Sequence, residues 1–157
     1  MMMLTTGVLA RAQAPAPAAA DTNTLNLTAY AELLRSDVRA EKVAIITEVM
    51  DFTTAEDAAF WPIYRDYDAE MTKLGDERVA LIAEYARTFD TLTDQGADRL
   101  AVKAIDLETR RRAAMAACYE RVKKALSPRT AMRFLQVEHQ LQLIIDLQIA
   151  ASLPVAK

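Results

Sequence analysis

His139 is the only histidine in a chain of 157 residues. It follows Glu138 and sits one helical turn from Gln142, so this segment offers one imidazole and one carboxylate where a metal site needs three or four spaced ligands. That pattern reads as a surface or network histidine. Cys118, the one cysteine, lies in an Ala-rich stretch where a small buried thiol is the expected role, and no signal pairs it with His139 as nucleophile and base. A single cysteine excludes an intramolecular disulfide and leaves the redox compartment open. Gly7, Gly75 and Gly96 form no phosphate loop, and the carboxylates are spread as solvated helix faces rather than gathered as a catalytic pair. The expectation is therefore a protein that is not an enzyme and carries no cofactor or metal.

Two other groups of residues could make contacts. Arg110, Arg111 and Arg112, with Arg121, Lys123 and Lys124, are the densest basic patches. Three consecutive residues point to different sides of a helix, no aromatics interleave with them, and the rest of the chain is acidic, so a nucleic-acid surface is not expected. Arg110, Arg111, Arg112, Lys123 and Lys124 instead read as basic rims for a protein partner. Among Phe60, Trp61, Tyr64 and Tyr67, the first, third and fourth keep helical spacing and read as core; Trp61 falls off that stripe and reads as an exposed partner contact.

The elements that must hold these residues are helices. Hydrophobic residues make up 52% of the chain, with only three glycines, and the turn residues that a sandwich or a doubly wound sheet needs every ten or so positions are missing. Residues 21 to 98 carry 17 acidic and 7 basic side chains, whereas residues 99 to 133 carry 3 acidic and 10 basic ones. Two arms of opposite sign lying antiparallel would neutralise each other along their edges.

Residues 28 to 50 repeat Tyr30, Leu34, Val38, Ile45 and Val49 at helical spacing, which predicts an amphipathic first helix ended by Asp51-Phe52. Thr53-Thr54-Ala55-Glu56 is a capping box opening a second helix, whose stripe Phe60, Tyr64, Tyr67, Met71, Leu74, Leu81, Tyr85 runs to about Phe89. Pro62 inside it predicts a kink. Thr93 caps a third helix that reaches Leu126, with Leu100, Ile105, Leu107, Met115, Cys118, Tyr119, Val122 and Leu126 on its apolar side. Ser127 and Pro128 then start a fourth, running to Leu153. Phe134, Val137, Leu141, Ile144, Ile145 and Ile149 form one stripe on it, and Met132, Leu143 and Leu147 a second on the opposite side. Such a helix needs cover on both sides, so the second stripe is the expected interface of a homodimer. The apolar runs are too short to span a membrane. The predicted fold is an all-α, elongated antiparallel hairpin with flanking N- and C-terminal helices, about four in all, with no sheet, in one domain over residues 27–153 and a tail over 154–157.

Met1 to Ala20 read as the remains of an export signal, a short apolar stretch followed by small residues with A-x-A spacing. Ala10-Arg11-Ala12 allows cleavage before Gln13; Ala12-Gln13-Ala14 also fits, but Pro15 would hinder that cut. The alternative is an Ala/Pro-rich cytoplasmic tail. Either way, residues 14 to 26 read as a flexible tether.

Phe52-Thr53-Thr54-Ala55-Glu56 and Leu126-Ser127-Pro128-Arg129-Thr130 flank the predicted hairpin as a pair. The pair resembles the twofold L-T-x-x-Q signature of the Spy/CpxP family of small periplasmic helical proteins, over about Asp37 to Leu141. Phe52 stands in place of the first Leu, Glu56 and Thr130 in place of the two Gln residues, and the fourth helix runs past the family's usual end. The resemblance implies a curved, all-α dimer, located in the periplasm or otherwise exported, that chaperones unfolded proteins or modulates an envelope sensor without ATP. The other expectation is a structural or regulatory subunit that docks on one envelope partner through its C-terminal apolar helix.

Overall fold

Side-chain hydroxyls set where three of the helices begin. The computed structural model describes residues 37–151 together with Leu153, Val155 and Ala156, and within them the regular structure is helical throughout. The elements are α1 (Asp37–Met50), α2 (Thr54–Thr88), a 3-10 turn (Phe89–Thr91), α3 (Asp94–Ala125) and α4 (Pro128–Ala150). At the start of α2 the Glu56 N–H donates to Thr53 Oγ1 while the Glu56 carboxylate accepts from the Thr53 N–H at 3.0 Å, the reciprocal pair of a capping box. Thr93 accepts from the Gly96 N–H and Ser127 from the Thr130 N–H, and Pro128 fills the first turn of α4, where its missing donor costs nothing. Asp51 ends α1 by adopting φ 46°, the left-handed conformation that Asp tolerates better than most residues. Helix α2 continues unbroken through Pro62.

α2 and α3 form an antiparallel hairpin whose register is written in ion pairs. Asp66 meets Arg121, Glu77 meets Arg110 and Glu84 meets Lys103. Steps of 11 and 7 residues forward along α2 are matched by steps of 11 and 7 back along α3. Both steps are close to whole turns, so each row stays on one edge of its helix. This is the edge-to-edge neutralisation expected from the opposite charges of the two arms.

α4 runs back along the hairpin and α1 packs on α4. Phe60, Ile63, Tyr64 and Tyr67 of α2, Cys118 and Val122 of α3, Ala131, Phe134 and Val137 of α4, and Ile46 and Met50 of α1 make one core at the base of the hairpin. Its centre is aromatic. The Phe60 ring stacks on Tyr64 at 5.7 Å between centroids and meets the Phe134 ring edge-on at 5.3 Å. With 35 residues α2 is about 52 Å long, and with 23 residues α4 is about 34 Å, so α4 stops well short of the hairpin tip.

Several expected faces turn out differently. The buried side of α1 is Lys42, Ile46 and Met50, while Ile45 and Val49 are exposed, a rotation of one residue from the predicted stripe. Ile105 on α3 and Ile144 on α4 are also exposed, and α4 ends at Ala150 rather than Leu153. The leader and tether over residues 1–26, and the predicted positions Tyr30 and Leu34, lie outside the described residues. No helix among those described is long and apolar enough to cross a membrane.

Candidate functional site

Glu138 lies one turn after Phe134 on the inner side of α4, and its relative exposure is 0%. A carboxylate there must find donors, because burying an unpaired charge is costly. Three helices supply them to a single oxygen. Lys42 Nζ of α1 donates to Glu138 Oε1 at 2.9 Å, the Tyr67 hydroxyl of α2 donates to it at 2.9 Å, and the Gln142 amide of α4 donates at 2.9 Å and also reaches the Tyr67 oxygen at 2.8 Å. Oε2 is buried with no hydrogen-bond partner among the described residues. Burial, with the Glu138 charge beside it, pushes the Tyr67 hydroxyl far above its usual range, so it stays a neutral donor. The same two causes push the Cys118 thiol up to about 12, which keeps it protonated and unreactive. The three donors around Glu138 tie α1, α2 and α4 together. Lys42, Tyr67 and Glu138 are buried and Gln142 is half-buried at the edge of the network.

At the other end of α4 the polarity is reversed. Asp146 receives Arg78 from α2 and, at 3.4 Å, Arg111 from α3, and Arg111 also donates to Glu108 at 2.9 Å. Two cations clamp one carboxylate where α4 crosses both arms. The guanidinium of Arg111 is buried, yet its pKa is raised: Asp146 and Glu108 outweigh the burial, which alone would lower it.

The basic residues expected to meet a partner are therefore largely engaged within the chain. Arg111 is a buried clamp, the opposite of an accessible rim residue, because the middle of three consecutive arginines points about 100° away from each neighbour. Arg110 binds Glu77 and Asp106, and Lys123 binds Glu120 while lying 5.2 Å from the centroid of the Tyr119 ring. Arg112 and Lys124 are exposed. Trp61 is half-buried: its ring meets Phe60 and Tyr64 edge-on, and its Nε1 donates to Asp57 at 2.6 Å, so it extends the aromatic core. His139 is exposed, and no group of three His, Cys, Asp or Glu residues among those described is placed to hold a metal.

The outer face of α4 is open to a partner. Met132 is 57% exposed, Leu143 52%, Ile144 57% and Leu147 70%. Met132, Leu143 and Leu147 are the second stripe expected from the sequence, and Ile144 widens it. The sequence reading missed Glu138, although a signal was present: a carboxylate sits between Phe134 and Leu141 on the stripe assigned to the core. No family model, curated protein or solved structure matches this chain.

Proposed function

We propose that the protein is a non-enzymatic, exported helical protein that binds other polypeptides through the outer face of α4. The supporting observation is the row Met132, Leu143, Ile144 and Leu147, four large apolar side chains each more than half exposed on one helix. Leaving such a row in water forgoes roughly 1.5 to 3 kcal/mol for each side chain that a partner could bury, enough in sum to support binding. Its partners are unfolded or envelope proteins, held without ATP as the resemblance to the Spy/CpxP family implies. In the resting state Met132, Leu143 and Leu147 pair two copies of the chain. The basic rims do not support this reading, since Arg110, Arg111 and Lys123 are bound within the chain.

A stoichiometric amount should suppress aggregation of a chemically denatured model protein in the absence of nucleotide. The Leu143→Glu/Leu147→Glu variant should lose that effect and run as a folded monomer by light scattering. No suppression by the parent at several-fold excess would remove the chaperone reading. The second reading, a subunit that docks on one envelope partner, is favoured by the crowding of Leu143, Ile144 and Leu147 into little more than one turn of α4. Co-purification of one defined partner with the parent, and its loss with the same double variant, would establish it.

A further inference from the structure

From Met132 to Leu147 the outer face of α4 presents Met132, Gln136, His139, Gln140, Leu143 and Leu147, all exposed. At about 100° per residue they fall within one arc of about 100°, in a row about 22 Å long. The row holds no Asp, Glu, Lys or Arg, and His139 is its one titratable group. The charged residues of this stretch are engaged elsewhere: Arg133 with the Met50 carbonyl, Glu138 with Lys42, and Asp146 with Arg78 and Arg111. The row also reads alike in both directions. Met132 and Leu147, Gln136 and Leu143, and His139 and Gln140 are each centred on the same point of the helix, midway between His139 and Gln140. A second copy laid antiparallel about a two-fold axis through that point sets Met132 against Leu147 at both ends and Gln136 against Leu143 inside them, with no fixed charge in the contact. An isologous contact needs a surface that complements itself, and this self-complementarity selects a second copy of the chain as the occupant.

We propose that the outer face of α4 is a two-fold, antiparallel interface between two copies of the chain, and that the two His139 side chains beside its axis make it open in acid. The inference rests on the pairing put forward above for the resting state and adds its register and its control. A two-fold brings the same edge of both helices together, so each His139 lies next to its own counterpart. Two neutral imidazoles are compatible there, whereas two imidazolium groups repel. The groups that the other helices turn toward this part of α4 do not offset that repulsion. Lys42 of α1 and Tyr67 of α2 donate to Glu138, Cys118 of α3 is buried beside it, and Arg78 of α2 and Arg111 of α3 hold Asp146. Both carboxylates of α4 near His139 are thus already matched by cations. A contact about 22 Å long and one helix wide is smaller than the roughly 1,200 Å² of a standard stable interface, so a modest repulsion is enough to part the copies. The face that pairs the copies is also the face assigned to polypeptide binding, and it is covered at neutral pH and uncovered in acid.

The test is sedimentation equilibrium of the full chain at about pH 7.5 and about pH 5.5, a window that spans the ordinary histidine range and stays above that of carboxylates. The dimer takes up fewer protons than two separate copies, so its stability is present above the histidine range and is lost as pH falls through it. The dissociation constant of the parent should rise about tenfold at the lower pH, the factor for one pKa unit of proton affinity lost on pairing. His139→Gln should dimerise equally at both. Because Cys118 is buried, a short thiol cross-linker reads the register through introduced cysteines. His139→Cys should cross-link to itself, and Leu147→Cys to Met132→Cys but not to itself, since two Leu147 positions stand about 22 Å apart along the axis. A parent dimer unchanged by pH, a pH response kept by His139→Gln, or self-linking of Leu147→Cys would overturn the proposal and leave pairing through α4 standing. A parent that is monomeric at both pH values overturns the pairing as well, and aggregation suppression then decides separately on the polypeptide-binding face.

Discussion

Lys42 and Glu138 are separated by 96 positions in the chain and by 2.9 Å in space, and both are buried. The pair fixes which side of α1 faces inward. Beside the packing of Ile46 and Met50, two polar contacts tie α1 to α4: this pair and, at the end of α1, the Arg133 guanidinium donating to the Met50 carbonyl at 3.0 Å. The second contact places a cation against the negative end of a helix dipole.

Lys42→Met should therefore cost about 3 to 5 kcal/mol in urea unfolding, because it leaves the Glu138 charge buried without its cation. Lys42→Met/Glu138→Leu should recover most of that loss, since an apolar pair needs no desolvated charge. A double variant no more stable than the single one would show that Tyr67 and Gln142, rather than Lys42, satisfy the carboxylate.

The backbone supplies two substitutions expected to stabilise the chain. Asp51→Gly removes the steric cost of φ 46° and should gain about 0.5 to 1 kcal/mol. Gly75 lies inside α2, where an added Cβ would meet nothing within 4 Å, so Gly75→Ala should gain about 1 kcal/mol. A thermal melt of each variant checks both, and a lower midpoint for either would contradict the geometry.

Acid should weaken the fold through its exposed carboxylates. The Thr53 backbone N–H and hydroxyl hold Glu56 below its usual value of 4.5, and the hydrogen bonds of Arg110 and Lys103 do the same for Glu77 and Glu84. A lowered folded pKa means that the native state keeps these groups ionised where the unfolded chain already takes up protons. Their contribution is thus present above about pH 4.5 and is lost as pH falls through the lower folded values. Melting temperatures from neutral pH to about pH 3 should fall less steeply in Glu77→Gln/Glu84→Gln than in the parent.

The alkaline side is governed by the opposite sign. With the Cys118 thiol pushed up to about 12, the unfolded chain loses its proton first, and stability falls as pH rises from the ordinary thiol range toward that value. Cys118→Ala should flatten the profile there. At about pH 8 a thiol reagent should label the parent only as fast as the chain opens, and rapid labelling of the native protein would show that Cys118 is accessible.

The helix starts were legible because a cap is local chemistry: Thr53 with Glu56, Thr93 with Gly96, and Ser127 with Thr130 each lie within four consecutive residues. The hairpin and its charge pairing were legible from composition along the arms. The face of α1 was not, because Ile45 and Val49 are as apolar as Ile46 and Met50, and the choice between the two sides is made by a carboxylate on another helix. Trp61 was misjudged for a related reason. Its position falls off the stripe by one residue, but an indole is large enough to reach back across Phe60 and Tyr64. Arg111 is the converse case, a charged residue drawn inward by Asp146, which no local pattern announces.

Because α4 ends well before the tip, the molecule should not open as a single unit. The backbone amides of α2 and α3 near the base are shielded by a third helix and the aromatic core, whereas those beyond about Ile82 and Leu100 are held by one opposing helix and a few side chains. Local openings take their free energy from the contacts they break, so hydrogen exchange should proceed from the hairpin turn inward, with amides around Tyr85 and Ala97 exchanging well before those around Tyr64 and Val122. The tip can then loosen and reclose while the base stays folded, like tongs joined at one end.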